Sequence, residues 1–435
     1  MDYLEDRHIW MPEPGPGRRL AVLSMHTSPL AQPGTGDGGG MNVYVRELVT
    51  ALARSGVDCE VFTRAEDPRQ PPVVTVEPGF RVHHVKAGPL APVVKETLPE
   101  LVPTWTEGVG DVLRQLEEDG RPVAAIHANY WLSGLAGHTL KHQLDLPLLV
   151  TFHTLDRVKA DASPEALSVL EPARRARAEA EIVGCADAVL ASCSVEADQL
   201  VQLYHADPDR IALVAPGVEH AFFTPGDRSQ ARRALGLPDR DPVVLFVGRV
   251  QPLKGPSVAV RALAETRRAG GRPASARLVL IGGPSGLQGA AEMDEVRRAI
   301  DEHSLHDAVR LLPPQPHEIL STFFRAADAC VVPSHSESFG LVALEAAACG
   351  IPVVAAAVGG LTTLVRHGVT GMLVEGRDPE DYARPLAALL ADPQGAVRMG
   401  RRAAVRARSY TWGRAAEDLW DWVETLTRSA LVACG

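Results

Sequence analysis

Two glutamates eight residues apart, Glu337 and Glu345, sit in the stretch PSHSESFGLVALEAAACGIPVV (333–354). An apolar run precedes a Ser/His/Ser/Glu loop, and a helix starting near Phe339 would place eight residues at a little over two turns. The spacing therefore predicts both carboxylates on one face. So arranged, one acid can meet a sugar and the other a ribose diol; a helix cap plus a surface acid is the plainer alternative. A second chemical stretch is VVLFVGRVQPLKG (243–255), where Arg249 and Lys254 follow a buried strand and open the next helix. Two cations at a strand's carboxyl end, beside a helix start, suit a diphosphate, although surface cations at helix starts are common.

A third stretch, HTSPLAQPGTGDGGGMN (26–42), joins a strand to a helix through a long glycine loop. Gly34, Gly36 and Gly39 match the dinucleotide fingerprint literally. Eight residues, including Pro29 and Pro33, separate strand from first glycine, however, and the second strand ends in Thr63-Arg64 where a ribose-binding acid belongs. The loop fits better as backbone N–H groups of Gly38, Gly39 and Gly40 approaching an anionic oxygen beside a helix that starts near Asn42. A merely flexible loop is the alternative. His153 and Thr154 follow a buried strand and should face the same cleft, as should the glycine turns 282–286 and 359–360. His138 and His142 are i,i+4, but the HExxH glutamate is absent and no third ligand is evident, so they are expected to be solvated helix histidines.

The elements that must position these groups form two series. Short apolar strands are expected at 20–25, 58–63, 82–85, 124–127, 148–151, 188–191 and 211–214, then at 243–247, 276–281, 309–312, 329–332, 352–356 and 371–374. Helical stretches such as 42–55, 256–268 and 341–349 lie between them. Continuous apolar strands alternating with helices imply parallel sheets covered on both faces, an α/β fold of two doubly wound, Rossmann-like domains facing a cleft. The expected divisions are a leader over 1–18 without periodicity, an N-terminal domain over 19–217, a C-terminal domain over 218–409, and over 410–435 an amphipathic helix bearing Trp412, Trp420 and Trp422 that crosses back to the N-terminal domain.

The chain has 435 residues and carries 54 acidic against 44 basic side chains, a net charge of −10. That balance argues against a nucleic-acid partner while permitting local cations. The six cysteines are dispersed without a CxxC pair, as expected of reduced thiols and not of a disulfide framework or zinc site. With no signal peptide and no 18-residue apolar run, a soluble cytoplasmic protein without a membrane partner is expected.

Taken together, the motifs resemble those of the retaining GT-B glycosyltransferases of family 4, over residues 19–430. The signature is Glu337-x7-Glu345 with Arg249-x4-Lys254 upstream. Within the family, the segments 26–45, 130–134, 248–254 and 337–350 are most similar to the branch that glycosylates inositol phosphate in mycothiol biosynthesis. The resemblance implies a nucleotide-sugar donor, UDP-GlcNAc, and a small polar, phosphorylated acceptor. It implies that Arg249 and Lys254 grip the diphosphate, that Glu345 binds the ribose and Glu337 the donor sugar, and that Gln32 and the Gly40 backbone complete the donor site. His153 would lie near the sugar, so that Arg249, Lys254, Glu337 and His153 are the implied catalytic set. The acceptor would meet His26, Asp37, Gly38, Gly39, Gly40, Met41, Asn42, Lys95, Tyr130, Thr154 and Arg175; Arg174 is the alternative to Arg175, whose spacing to Glu179 favours it. Relatives are often homodimers. Where relatives hold magnesium, this chain has Phe324, Arg325, Ala327 and Ile351, without a carboxylate cluster, so any metal there would be structural and no cofactor is required for the chemistry.

Departures fall mostly on the acceptor side: Ala128-Asn129 replaces a usual Ser-His, and Glu179-Ala180-Glu181 replaces Glu-Gln-Gln. They leave open a paralogue of antibiotic or thiol metabolism that uses another acceptor or a GDP-sugar. From other classes, a NAD-dependent oxidoreductase is opposed by the missing acid after the second strand, and a non-catalytic nucleotide-sugar binder by the intact Arg/Lys/Glu/Glu set.

Overall fold

The computed structural model describes residues 18–34, 38–162 and 172–434. Residues 1–17 of the expected leader therefore lie outside the described residues, as does Asp37.

Two sheets carry the fold. The first orders its strands β3-β4-β2-β1-β5-β6-β7-β8, with β1 at Arg19–Leu23, β2 at Asp58–Arg64, β3 at Val73–Glu77, β4 at Phe80–Val85, β5 at Ala125–Asn129, β6 at Leu148–Thr151, β7 at Ala188–Ala191 and β8 at Ile211–Leu213. The second orders β11-β10-β9-β12-β13-β14, with β9 at Val243–Val247, β10 at Arg277–Ile281, β11 at Val309–Leu312, β12 at Ala329–Val332, β13 at Val353–Ala356 and β14 at Gly371–Val374. All pairings are parallel except β3 with β4. The runs expected at 148–151, 188–191, 243–247, 309–312, 329–332 and 371–374 match strand for strand, because most central strands are buried on both faces and so are written as unbroken apolar runs. β3 was not anticipated: it is an edge strand, half exposed, and its VVTVE alternation is too short to stand out.

Helices of the first half are α1 (Gly40–Arg54), α2 (Leu98–Glu118), α3 (Tyr130–Leu144), α4 (Asp156–Ala162), α5 (Pro172–Cys185) and α6 (Ser194–Tyr204). Those of the second are α7 (Arg228–Leu235), α8 (Pro256–Arg268), α9 (Gly289–Glu302), α10 (His317–Ala326), α11 (Leu341–Ala348), α12 (Leu361–Leu364), α13 (Pro379–Ala391) and α14 (Pro393–Ala407). The last, α15 (Trp412–Leu426), returns to the first sheet, as its apolar stripe predicted. Trp412, Ala416, Leu419, Trp420 and Val423 are buried in one cluster with Tyr44, Leu48 and Leu52 of α1 and with Val22 of β1. The two passages between the halves run side by side, tied by Val218 N donating to Tyr410 O at 3.2 Å.

Strand order reverses between β1 and β5 in the first sheet and between β9 and β12 in the second. The loops leaving the carboxyl ends of two such neighbours diverge and open a crevice. His26 and Tyr130 follow β1 and β5, while Arg249 and Ser334–Glu337 follow β9 and β12, so both crevices contribute to one cleft.

Candidate active site

The cleft holds a cavity of about 280 Å³ lined from both halves of the chain. On the second-sheet wall, Lys254 Nζ lies 2.5 Å from Glu337 Oε2, which also accepts from Ser334 Oγ at 3.2 Å. The loop carrying Glu337 is held by Gly359 and Gly360: Gly360 N donates to Glu337 O at 3.0 Å. Gly359 has φ of +46°, and a Cβ there would come within 1.9 Å of that same oxygen. Here the glycine pair meets protein backbone and not ligand. Glu345 is buried on α11 and accepts from His317 Nε2 at 2.7 Å. Burial opposes a charge on His317, but Glu345, with Glu47 and Glu318, outweighs it and raises the imidazole pKa. Arg249 packs against the glycine loop so closely that a Cβ on Gly39 would sit 3.2 Å from its Nε. Its Nη1 reaches Ser285 Oγ at 3.5 Å.

On the first-sheet wall, the Tyr130 ring is the centre. His26 packs against it tilted by 39°, 4.4 Å between centroids, and Lys95 Nζ lies 4.7 Å and Arg175 Cζ 4.9 Å from its centroid. Arg175 is fixed from behind, with Nε donating to Glu179 Oε1 at 2.7 Å and Nη2 to Thr154 O at 2.6 Å and Thr154 Oγ1 at 3.1 Å. Arg174 is exposed, whereas Arg175 is buried. Tyr130 and His153 both hold left-handed backbone, φ +76° and +60°, an unfavourable conformation for such side chains that clusters at sites where geometry is imposed. His153 Nε2 lies 2.9 Å from Asn129 Oδ1. Burial, with His127 beside it, takes the His153 pKa down to about 3. The walls touch where Ser338 Oγ donates to His153 O.

The electrostatics point to anions. Burial and the charges of Lys95, His153, Arg249 and Arg175 hold His26 well below its usual pKa. Burial and then Arg175, Lys95 and Arg249 do the same to Lys159, which lines the cavity from α4. Three basic side chains of the first half and one of the second thus converge, and an anionic ligand would relieve their repulsion. Among the described residues, Tyr130 Oη and His26 Nδ1 are also buried without hydrogen-bond partners. Such atoms in a polar cleft call for a ligand's hydroxyls or phosphate oxygens.

Of the expected residues, His26, Gly39, Gly40, Met41, Lys95, Tyr130, His153, Thr154, Arg249, Lys254, Glu337 and Glu345 line the cavity. Four others do not. Gln32 is exposed and donates through Nε2 to Pro314 O at 3.3 Å, bridging the two walls. Gly38 is buried with its carbonyl accepting from Gly34 N. Asn42 is spent on the loop: its Oδ1 accepts from Gly39 N at 2.9 Å and its Nδ2 donates to Thr27 Oγ1 and Ser28 O. Arg175 stands behind Tyr130. The two glutamates do not share a helix face, because α11 begins at Leu341 and Glu337 precedes it in the loop; both still face one cavity. Sequence inspection missed Lys159, an unremarkable lysine in a short helix, and His317, whose only signal was a histidine after a Pro-rich turn.

Phe324, Arg325 and Ala327 fit a metal badly. Phe324 and Ala327 are buried and have no side-chain donor, and the Arg325 guanidinium occupies the local acceptors Phe222 O and Ser321 Oγ at 2.9 and 3.0 Å. No step below uses one.

Residues 227–406 match the family model "Glycosyl transferases group 1", and residues 39–217 match "Glycosyl transferase 4-like domain". The D-inositol 3-phosphate glycosyltransferase of Acidothermus cellulolyticus is 47% identical over 403 residues, 92% of this chain and 89% of that protein. The chain belongs to the group 1 glycosyltransferases. The enzyme of that name from Actinosynnema mirum is also 47% identical, over 92% of this chain and 96% of its own. Among solved structures, sucrose-phosphate synthase from Thermosynechococcus elongatus superposes on the glycosyltransferase with a TM-score of 0.84 and 34% identity, covering 94% and 99% of the two chains. HepE of Anabaena in complex with UDP-glucose, at 20% identity and a TM-score of 0.70, shares the fold, over 94% of this chain and 99% of its own. The fold is GT-B. Among the described residues no helix is long and apolar enough to cross a membrane.

Proposed function

We propose that this glycosyltransferase moves N-acetylglucosamine from UDP-GlcNAc to the 1-hydroxyl of 1D-myo-inositol 3-phosphate with retention at the anomeric carbon, the first step of mycothiol biosynthesis. The names of the relatives support the acceptor. The observation that carries the proposal is the cluster of Lys95, Lys159, Arg175 and Arg249 around Tyr130 and His26, which suits an acceptor phosphate lying next to a donor diphosphate.

In this arrangement Arg249 and Lys254 hold the diphosphate, and Glu345, oriented by His317, accepts from the ribose hydroxyls. Lys254 pairs with Glu337 at 2.5 Å, so the same lysine can order the carboxylate that receives the sugar hydroxyls. Both acids are already engaged, Glu337 with Lys254 and Glu345 with His317, which argues against a pair of flanking carboxylates of the hydrolase kind. The acceptor O–H adds to C1 as the C1–O bond to the diphosphate breaks, and the proton passes to the departing phosphate oxygen. The protein's contribution is position and stabilisation of the charge developing on that oxygen. Neutral His153 beside the sugar can offer a carbonyl or a hydrogen bond without adding charge.

The test is product analysis with UDP-GlcNAc and inositol 3-phosphate, following UDP release and the anomeric configuration of the product, beside GDP-sugars and a panel of thiol and antibiotic acceptors. Transfer that depends on inositol phosphate supports the proposal; turnover only on another acceptor or only with a GDP-sugar replaces it.

A further inference from the structure

We propose that His138, His142, Cys185 and Cys434 form a structural zinc site that fastens the segment after α15 to α3 and α5. The histidines were expected to be solvated and the cysteines to be reduced thiols; His142 is exposed and His138 half-buried, four cysteines are free and buried, and only Cys185 and Cys434 depart from the expectation by pairing. Cys185, at the end of α5, is paired with Cys434 as a disulfide across 249 residues of sequence, so the zinc site belongs to the reduced, dithiol form of this pair. His142 Nε2 lies 3.0 Å and His138 Nε2 3.5 Å from Cys434 Sγ. One ligand atom from each of the four residues lies within 4.8 Å of the others.

The chemistry of the set selects the ion. Two sulfurs and two imidazole nitrogens are a tetrahedral S₂N₂ donor set of borderline softness, which suits zinc and leaves no open coordination position, as in a structural site. Two thiolates and two neutral imidazoles balance the divalent charge. Binding from the dithiol form releases two thiol protons as two Zn–S bonds form, and no oxidant is needed. A disulfide would engage only the sulfurs and leave two imidazoles converging on Cys434 without a role.

The surroundings are built for the site. Positions 138 and 142 are one turn apart on α3, so their rings point the same way, with centroids 5.1 Å apart. Glu181 Oε1 lies 3.8 Å from His138 Nδ1, the nitrogen facing away from the sulfur, where an outer carboxylate orients a ligating imidazole. Between the histidines, buried Lys141 donates through Nζ to Cys185 O and Asp187 Oδ1, both at 2.8 Å. Asp187 Oδ1 also accepts from Val432 N at 2.7 Å, which docks the chain two residues before Cys434. In a zinc tetrahedron with Zn–S of about 2.3 Å the sulfurs stand about 3.8 Å apart, so the metal-bound form requires the dithiol and not the disulfide.

The experiment is metal analysis of the full-length chain, handled with a phosphine reductant, loaded with Zn²⁺ and dialysed free of excess. One zinc per chain is expected. Cys434→Ser and His142→Ala should each lose it while the circular dichroism spectrum is unchanged, and Glu181→Gln should bind about 10-fold more weakly. Cobalt substitution should show thiolate charge-transfer and tetrahedral d–d bands in the wild type and neither in Cys434→Ser. The proposal is overturned if the reduced wild type retains no zinc, if both variants retain it, or if peptide mapping finds a Cys185–Cys434 disulfide that persists with reductant and zinc present. None of these readouts depends on the transferase reaction.

Discussion

Arg249→Ala separates charge stabilisation at the diphosphate from simple binding. The side chain is half-buried, at the carboxyl end of β9, against the Gly39 backbone and within reach of Ser285. At about 4 Å in surroundings of effective dielectric about 20, a guanidinium and one unit of negative charge interact by about 4 kcal/mol. Much of that acts equally on bound UDP-GlcNAc and on the transition state. The part that accelerates reaction comes from the charge, on the order of one unit, that appears on the leaving oxygen as the C1–O bond breaks. Loss of a preorganised donor at such a position costs about 3 kcal/mol, on the order of 10²–10³ in kcat. Steady-state kinetics with UDP release as the signal should therefore show kcat falling far more than KM for the donor rises. Arg249→Lys should recover part of the loss, since it restores charge without the planar fork. An alanine variant with wild-type kcat, or one whose whole defect lies in donor KM, would refute the assigned role.

Four further outcomes follow from the geometry. Arg175→Ala should raise acceptor KM by about 10-fold, because it removes a buried positive charge beside the Tyr130 ring, whereas exposed Arg174→Ala should leave kinetics unchanged; equal effects would count against Arg175. Gly359→Ala forces a side chain into the carbonyl of Glu337 at a left-handed position, so kcat should fall while urea unfolding shows a modest loss of about 1–3 kcal/mol; an unaltered kcat would show that the Glu337 loop is not set by that contact. Trp420→Ala removes a buried anchor of α15 and should cost about 3–5 kcal/mol, read as a lower urea midpoint; an unmoved midpoint would mean α15 does not stabilise the first sheet. The His317 pKa is raised above 6.5 in the folded protein, so its pairing with Glu345 stabilises fully below that value and is lost as pH rises through the raised one. Thermal melts of His317→Gln against wild type should differ at pH 6 and converge at alkaline pH, and a constant difference would contradict the pairing.

The central strands were legible because burial on both faces leaves no polar alternation, and the returning α15 was legible because an apolar stripe that includes Trp412 and Trp420 must be covered. Glu337, Arg249 and Lys254 could be singled out because each stands in the loop between a strand and the next helix, where local sequence places a side chain with little help from the rest of the fold, and Glu345 by its spacing from Glu337. Edge strand β3 escaped because half-exposed alternation resembles a loop. The helix-face inference for the two glutamates failed because α11 starts after Gly340, whose left-handed backbone sets the beginning of the helix beyond Glu337.

Other features depend on contacts between residues remote in the chain, and no local pattern encodes them. Local spacing favoured Arg175 over Arg174, and the burial of Arg175 against Thr154 appears only in the fold. Lys159 stands beside three other cations, His317 meets a glutamate 28 residues away, and His138 and His142 meet a cysteine almost 300 residues later. Side-chain types and short spacings specify which chemistry is available, while pKa, orientation and coordination depend on distance and desolvation, quantities that exist only once the two sheets and the returning helix have closed around the cleft.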